Sequence, residues 1–157
     1  DLSYFGEFGK QGTGYDVRFL IDQLRRILKV DIRWSVVLVG AGDLGHALAH
    51  YGGFGPAGFQ VVAVYDNDPA KVGQTMAGLT IRDSRMLRQE LLHMGLRVAI
   101  LAVPASGAQA VTDELVAGGI RAILNYAPIT LNVPEGVRVE YVNPVVYLQR
   151  MTFYLDV

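Results

Sequence analysis

VVLVGAGDLGHALAHY, residues 36–51, decides the fold. A β-branched run over Ser35–Val39 ends in Gly40, and Gly40, Gly42 and Gly45 then stand in G-x-G-x-x-G register ahead of a helix-like segment reaching Tyr51. The first glycine lets the chain turn sharply off a strand, the second lets backbone amides approach a pyrophosphate, and the third lets the helix pack closely on the sheet. The pyrophosphate of a dinucleotide then lies at the positive end of that helix. In a chain with 18 glycines the triplet alone is a weak signal, equally served by a tight turn with nothing bound. The next apolar run, Gln60–Tyr65, strengthens it, because it ends at Asp66, 21 residues after Gly45. A carboxylate there accepts hydrogen bonds from the adenosine ribose hydroxyls and repels a 2′-phosphate, which favours NAD(H) over NADP(H). The plainer reading of Asp66 is a turn residue in the turn-rich YDNDPAKVG, 65–73. Lys71 is either a solvated charge or a contact on the adenine side.

Outward from this motif the strand, helix, strand pattern repeats. Candidate strands are Leu79–Ile81, Arg97–Leu101, Arg121–Leu124 and Val137–Tyr141, with helix-period segments over Arg85–Met94 and Gly107–Ala117 between three of them. Such alternation predicts an α/β fold, a Rossmann-type doubly wound parallel sheet with right-handed crossovers. An amphipathic helix over Val17–Lys29 leads into it. Pro144–Leu155 reads as a terminal helix with Pro at its start, apolar around most of its girth through Leu148, Met151, Phe153, Tyr154 and Leu155. That face calls for a partner surface, so dimerisation through it is expected. The expected division is 1–16, a Gly-rich remnant of a preceding element; 17–142, the nucleotide-binding domain with its leading helix; and 143–157, the dimerising helix.

Composition narrows the function classes. With 157 residues, 51% apolar, 18% charged and a net charge of -1, the chain suits one well-filled domain and neither a disordered nor a collagen-like polymer. Its longest apolar stretches, Trp34–Ala41 and Val98–Pro104, fall short of the roughly 20 residues that cross a bilayer. No basic, then apolar, leader opens the chain, so a soluble cytoplasmic protein is expected. Zero cysteines remove disulfides, thiolate metal sites and thiol redox chemistry, so any redox function needs a bound cofactor. Position 1 is Asp rather than Met, which is expected of a piece of a longer chain.

Catalytic constellations fail. His46 and His50 have metal-ligand spacing but lack the glutamate of an H-E-x-x-H motif and any further ligand, so they read as ordinary helix residues and metal is not expected. His93 complements the end of a helix. No G-x-S-x-G elbow or P-loop lysine occurs, and too few residues follow the last strand for a substrate domain. A cofactor domain without catalytic apparatus points to a sensor rather than an enzyme. Asp43, in the first turn after the glycines, is expected to face water; facing inward, it would oppose the pyrophosphate, and Asp43→Asn would tighten binding by about 1 kcal/mol.

DLSYFGEFGKQGTGYDV (1–17), the glycine segment 36–54, YDNDPAKVG (65–73), AVPA (102–105), ILNYAP (123–128) and VNPVVYLQRMTFYL (142–155) together resemble the Rex family of redox-sensing transcriptional repressors, in order and over nearly the whole chain. The resemblance implies a homodimeric repressor with an N-terminal winged-helix DNA-binding domain, a Rossmann domain binding NADH or NAD⁺, a C-terminal helix swapped between subunits, and release of operator DNA by NADH. Residues 1–16 would be the end of the recognition helix and the wing. Gly40, Gly42, Leu44 and Gly45 would hold the pyrophosphate with Asp43 beside them, Asp66 and Asn67 the adenosine ribose, and Lys71 the adenine. Val103, Pro104, Asn125, Tyr126, Ala127 and Pro128 would wall and hydrogen-bond the nicotinamide. Tyr51 looks like the family tyrosine that responds to the nicotinamide. At the start of the swapped helix the family has Asp and an apolar residue where this chain has Asn143 and Pro144, so the switch would be wired differently here, without a salt bridge from that position.

Two other readings fit parts of the sequence. One is the nucleotide-binding half of an NAD-dependent dehydrogenase, and the other is a CoA-binding module, against which Asp66 argues because CoA carries a 3′-phosphate on that ribose. Residues 1–34 hold six Lys/Arg against five Asp/Glu and 35–157 hold eight against ten, so neither part is an electrostatic platform for DNA. Operator binding is therefore expected to need the missing N-terminal domain.

Overall fold

The computed structural model describes residues 16–28 and 32–155, and the chain divides into two compact units, Asp1–Arg33 and Trp34–Val157. In the first, helix α1 spans Val17–Leu28 and is capped by Asp16, whose Oδ1 accepts the Arg18 N–H at 2.9 Å. This helix lies in the first of these units. The expected winged-helix remnant lies almost entirely outside the described residues.

The second unit runs β1 (Trp34–Val39), α2 (Asp43–Ala49), β2 (Phe59–Asp66), β3 (Thr75–Met76), β4 (Leu79–Asp83), a 3₁₀ turn (Ser84–Met86), α3 (Leu87–Met94), β5 (Val98–Leu101), α4 (Ala105–Ala117), β6 (Ala122–Asn125), β7 (Arg138–Tyr141) and α5 (Pro144–Phe153). The strands form one sheet in the order β3-β4-β2-β1-β5-β6-β7. Successive strands add to one side of β1 and then to the other, so the order reverses beside β1, where open α/β sheets bind their ligands.

Alternation along β1 explains why its apolar run is unbroken. Val37 and Val39 face one layer, packed with Tyr65, Leu101, Leu87, Leu91, Ala108 and Leu115. Val36 and Leu38 face the other, with Val64, Ile81, Ile100 and Leu48. A strand covered on both faces needs apolar side chains at every position.

One strand departs from the expected all-parallel sheet: β3 pairs antiparallel with β4. The two are joined by Ala77 (φ 51°) and Gly78 (φ 79°), a two-residue turn with positive φ at both positions. Glycine adopts this freely, but alanine rarely does, so the sequence gives little sign of the hairpin. Each edge of the sheet is unsuited to further pairing: β3 has two residues, and β7 exposes Arg138 and Glu140. Among the described residues no helix is long and apolar enough to cross a membrane.

Beneath the end of β2, the fully buried Tyr65 donates its hydroxyl to Glu90 Oε1 at 2.6 Å, and Arg82 approaches the same oxygen at 3.3 Å. Burial first, and then the Glu90 carboxylate, raise the Tyr65 hydroxyl pKa well above its ordinary value. The folded state therefore holds this proton more tightly than the unfolded chain does. Its contribution is complete below about pH 10 and declines as the unfolded tyrosine begins to ionise. Urea unfolding should show Tyr65→Phe destabilised by about 1.5–3 kcal/mol at neutral pH, the value of a hydrogen bond to a charged acceptor. That difference should shrink as the pH rises past 10.

Candidate nucleotide-binding site

The site is built on strand ends that stop level with one another. Val39 is in register with Tyr65 on one side and Leu101 on the other, and Leu101 with Asn125. The residue leaving each strand then donates its N–H to the last carbonyl of a neighbour: Gly40 to Tyr65 and Ala102 to Val39 at 2.8 Å, Tyr126 to Leu101 and Val142 to Asn125 at 2.9 Å. Asp66, Gly40, Ala102 and Tyr126 thus form a row along the carboxyl edge of the sheet.

Gly40 sits at φ 114°, and a Cβ there would overlap the Ala102 carbonyl. A Cβ on Gly45 would overlap the Gly40 carbonyl, so helix α2 can approach the turn only with glycine at that position. Gly42 is different. A Cβ built on it meets nothing within 4 Å, leaving open space above the turn. The three glycines therefore divide as the fingerprint requires, two for close packing and one for an approaching ligand. Each of Asp43 and Leu44 is exposed in the first turn of α2.

Asp66 latches this turn to the next one. Its Oδ2 accepts the Ala41 N–H at 2.7 Å and its Oδ1 the Asp68 N–H at 2.8 Å. Asp68 in turn orders the following residues, accepting the Ala70 N–H on Oδ1 and the Lys71 N–H on its carbonyl, both at 2.9 Å. Asp66 thus acts as a turn residue, and each carboxylate oxygen keeps capacity for a further donor. Asn67 is exposed and Lys71 half-buried on the same rim.

On the other side of Gly40, Val103 is half-buried and Pro104 exposed where β5 passes into α4. Asn125 is buried, and its side chain is committed to the loop that follows it. Nδ2 donates to the carbonyls of Ala127 (3.2 Å) and Ile129 (3.1 Å), while Oδ1 accepts the Ala127 N–H at 2.8 Å. Its amide shapes the 126–129 backbone, on which Tyr126 is half-buried, Ala127 buried and Pro128 exposed. Two further side chains hold this loop and were not signalled by any motif. Gln109 on α4 donates to the Asn132 carbonyl and accepts the Asn132 N–H, and the Tyr141 hydroxyl accepts the Leu131 N–H at 3.0 Å.

The three candidate switch residues lie elsewhere. Tyr51 follows the end of α2, exposed, with its ring edge-on to Phe54 at 4.9 Å and folded over Gly53. Asn143 caps α5, its Oδ1 accepting the Val145 N–H at 3.1 Å, and Pro144 occupies the first turn. His46 and His50 stack with centroids 6.1 Å apart, and His50 Nδ1 donates to the His46 carbonyl at 2.7 Å. Among the described residues no group of three His, Asp or Glu side chains could hold a metal ion.

The CoA binding domain family matches residues 31–129. The redox-sensing transcriptional repressor Rex of Chloroflexus aurantiacus is 54% identical over 155 residues, covering 99% of this chain and 73% of that protein. The chain belongs to the Rex family. Among solved Rex structures, RSP with NADH matches with a TM-score of 0.79 at 31% identity, covering 98% of this chain and 74% of RSP. RSP with NAD⁺ and operator DNA matches with a TM-score of 0.81 at 34% identity, covering 98% and 71%. Relatives of this Rex chain are named as transcriptional repressors rather than enzymes.

The glycine geometry yields a separation that calorimetry and unfolding can check together. Gly42→Ala should fold with nearly unchanged stability but weaken NADH binding by about tenfold or more, because its Cβ enters the space left for the ligand. Gly45→Ala should lose about 1–3 kcal/mol of stability, as overpacking against backbone does.

Proposed function

We propose that this chain is the nucleotide-sensing part of a redox-responsive transcriptional repressor, binding NADH and NAD⁺ at the carboxyl edge of its sheet and releasing operator DNA when NADH is bound. The observation that carries the reading is the open space over Gly42 beside the Asp66 carboxylate, in a fold shared with RSP, which was solved with each nucleotide. The residues fit the group. Gly40, Ala41, Gly42 and Gly45 form the turn for the pyrophosphate, with Asp43 and Leu44 at its rim. Asp66, Asn67 and Lys71 take the adenosine side, and Val103, Pro104, Tyr126, Ala127 and Pro128 take the nicotinamide side on a loop shaped by Asn125. The bound nicotinamide supplies the redox information, and the chain contributes selection between its two forms.

A repressor of this design acts by differential affinity: a ligand shifts a conformational equilibrium only as far as it prefers one state. We place Tyr51, Asn143 and Pro144 at the switch, and α5 at the interface of a homodimer. Operator DNA is the partner of the whole repressor, and the protein works in the cytoplasm. Support for dimerisation comes from α5 itself. Every residue from 143 to 155 is exposed, including Leu148, Met151 and Phe153. A helix with this much uncovered apolar surface marks a protein contact. The matched CoA binding domain concerns the shared nucleotide fold; the 3′-phosphate of CoA would meet the carboxylate of Asp66.

Calorimetric titration with NADH, NAD⁺ and CoA in parallel tests the function. NADH should bind most tightly and CoA negligibly; equal affinities for the two redox forms, or binding of CoA alone, would overturn it. For the interface, sedimentation should show a dimer that Met151→Glu converts to monomer, since a charge placed in an apolar contact goes unpaired.

A further inference from the structure

β6 and β7 end in a directly paired couple, Asn125 and Tyr141, and both side chains grip the same loop. Asn125 holds the carbonyls of Ala127 and Ile129, and the Tyr141 hydroxyl accepts the N–H of the buried Leu131. One residue beyond Tyr141, the Val142 N–H closes the last rung onto the Asn125 carbonyl. The next residue, Asn143, caps α5 through the Val145 N–H, and its carbonyl accepts the Val146 N–H at 3.2 Å. Tyr141 thus stands between the loop and α5: its hydroxyl holds Leu131, and its backbone runs through Val142 to the capping Asn143, with Asn125 tied to the same strand end through the Val142 N–H.

We infer that Tyr141 is a positioning residue that couples the loop 126–131 to the start of α5, so that a ligand seated against the loop sets the order of that helix. This rests on the nucleotide reading above, which places the nicotinamide at the loop. The end of β7 lies directly before the α5 cap, and Tyr141 is the residue of that strand whose side chain holds the loop. Gln109 braces the same loop from the opposite direction, from α4, at Asn132. It therefore separates two roles. Loosening the loop as such is common to the loss of Gln109 and the loss of the Tyr141 hydroxyl, whereas of these two only Tyr141 lies on the strand that leads into α5.

Hydrogen exchange at the Val145 and Val146 amides, read with and without saturating NADH, tests the coupling. In the unaltered chain NADH should slow exchange there by about tenfold, on the scale of one hydrogen bond made more persistent. Tyr141→Phe keeps the ring and should still bind NADH by calorimetry, yet show less than about a twofold change at these amides. Gln109→Ala should weaken NADH binding but keep the exchange response once saturated. An undiminished response in Tyr141→Phe, or an equal loss in Gln109→Ala, would overturn the coupling while leaving the nucleotide reading in place. Failure of the unaltered chain to bind NADH would overturn the nucleotide reading and the inference with it.

Discussion

The level ending of four strands around β1 is the constraint on which the rest of the site depends. Because Val39, Tyr65, Leu101 and Asn125 share one register row, the residues that follow them meet as neighbours although they are distant in sequence. Gly40 can then be squeezed against Ala102, and Asp66 can reach back to Ala41. A one-residue slip of any of these strands would turn its buried side chains to the opposite face, so core packing and site geometry are fixed together. Binding chemistry here is a by-product of register.

Within that row the carboxylate of Asp66 joins structure to recognition. It fixes two turns through backbone N–H groups. Under the proposed function the group that organises these turns also reads the ribose. Such preorganisation lowers the entropy lost when a ligand arrives. The fully buried Tyr65 supports it from below, its carbonyl accepting the Gly40 N–H while its hydroxyl is held by Glu90.

Much of this was legible in the sequence because it rests on residue types with few substitutes. The glycine spacing, the acid after the second strand and the unbroken apolar run of Val36–Val39 each point to one local geometry. Less legible were features that depend on which side chains meet in space. Asn125 stands at a strand end, and sequence alone does not tell whether its amide faces a ligand or its own loop; its contacts show the loop. The Ala77–Gly78 turn was hidden because alanine at positive φ is unusual, and Gln109 has no local signal at all. Tyr141 could have been noticed as the residue opposite Asn125 once the two strands were paired.

The sheet edges described above bear on solubility. A parallel sheet with an open margin can recruit strands from other molecules, and in a crowded solution that leads to precipitates rather than to a defined assembly. Here one margin is a two-residue strand and the other carries alternating exposed charge, so backbone pairing between molecules has little to build on. The uncovered apolar surface of α5, which the proposed homodimer would use, offers side chains and not backbone for contact. The edges leave little for open-ended stacking of sheets, and a closed partnership of helices is the self-association that such a surface favours.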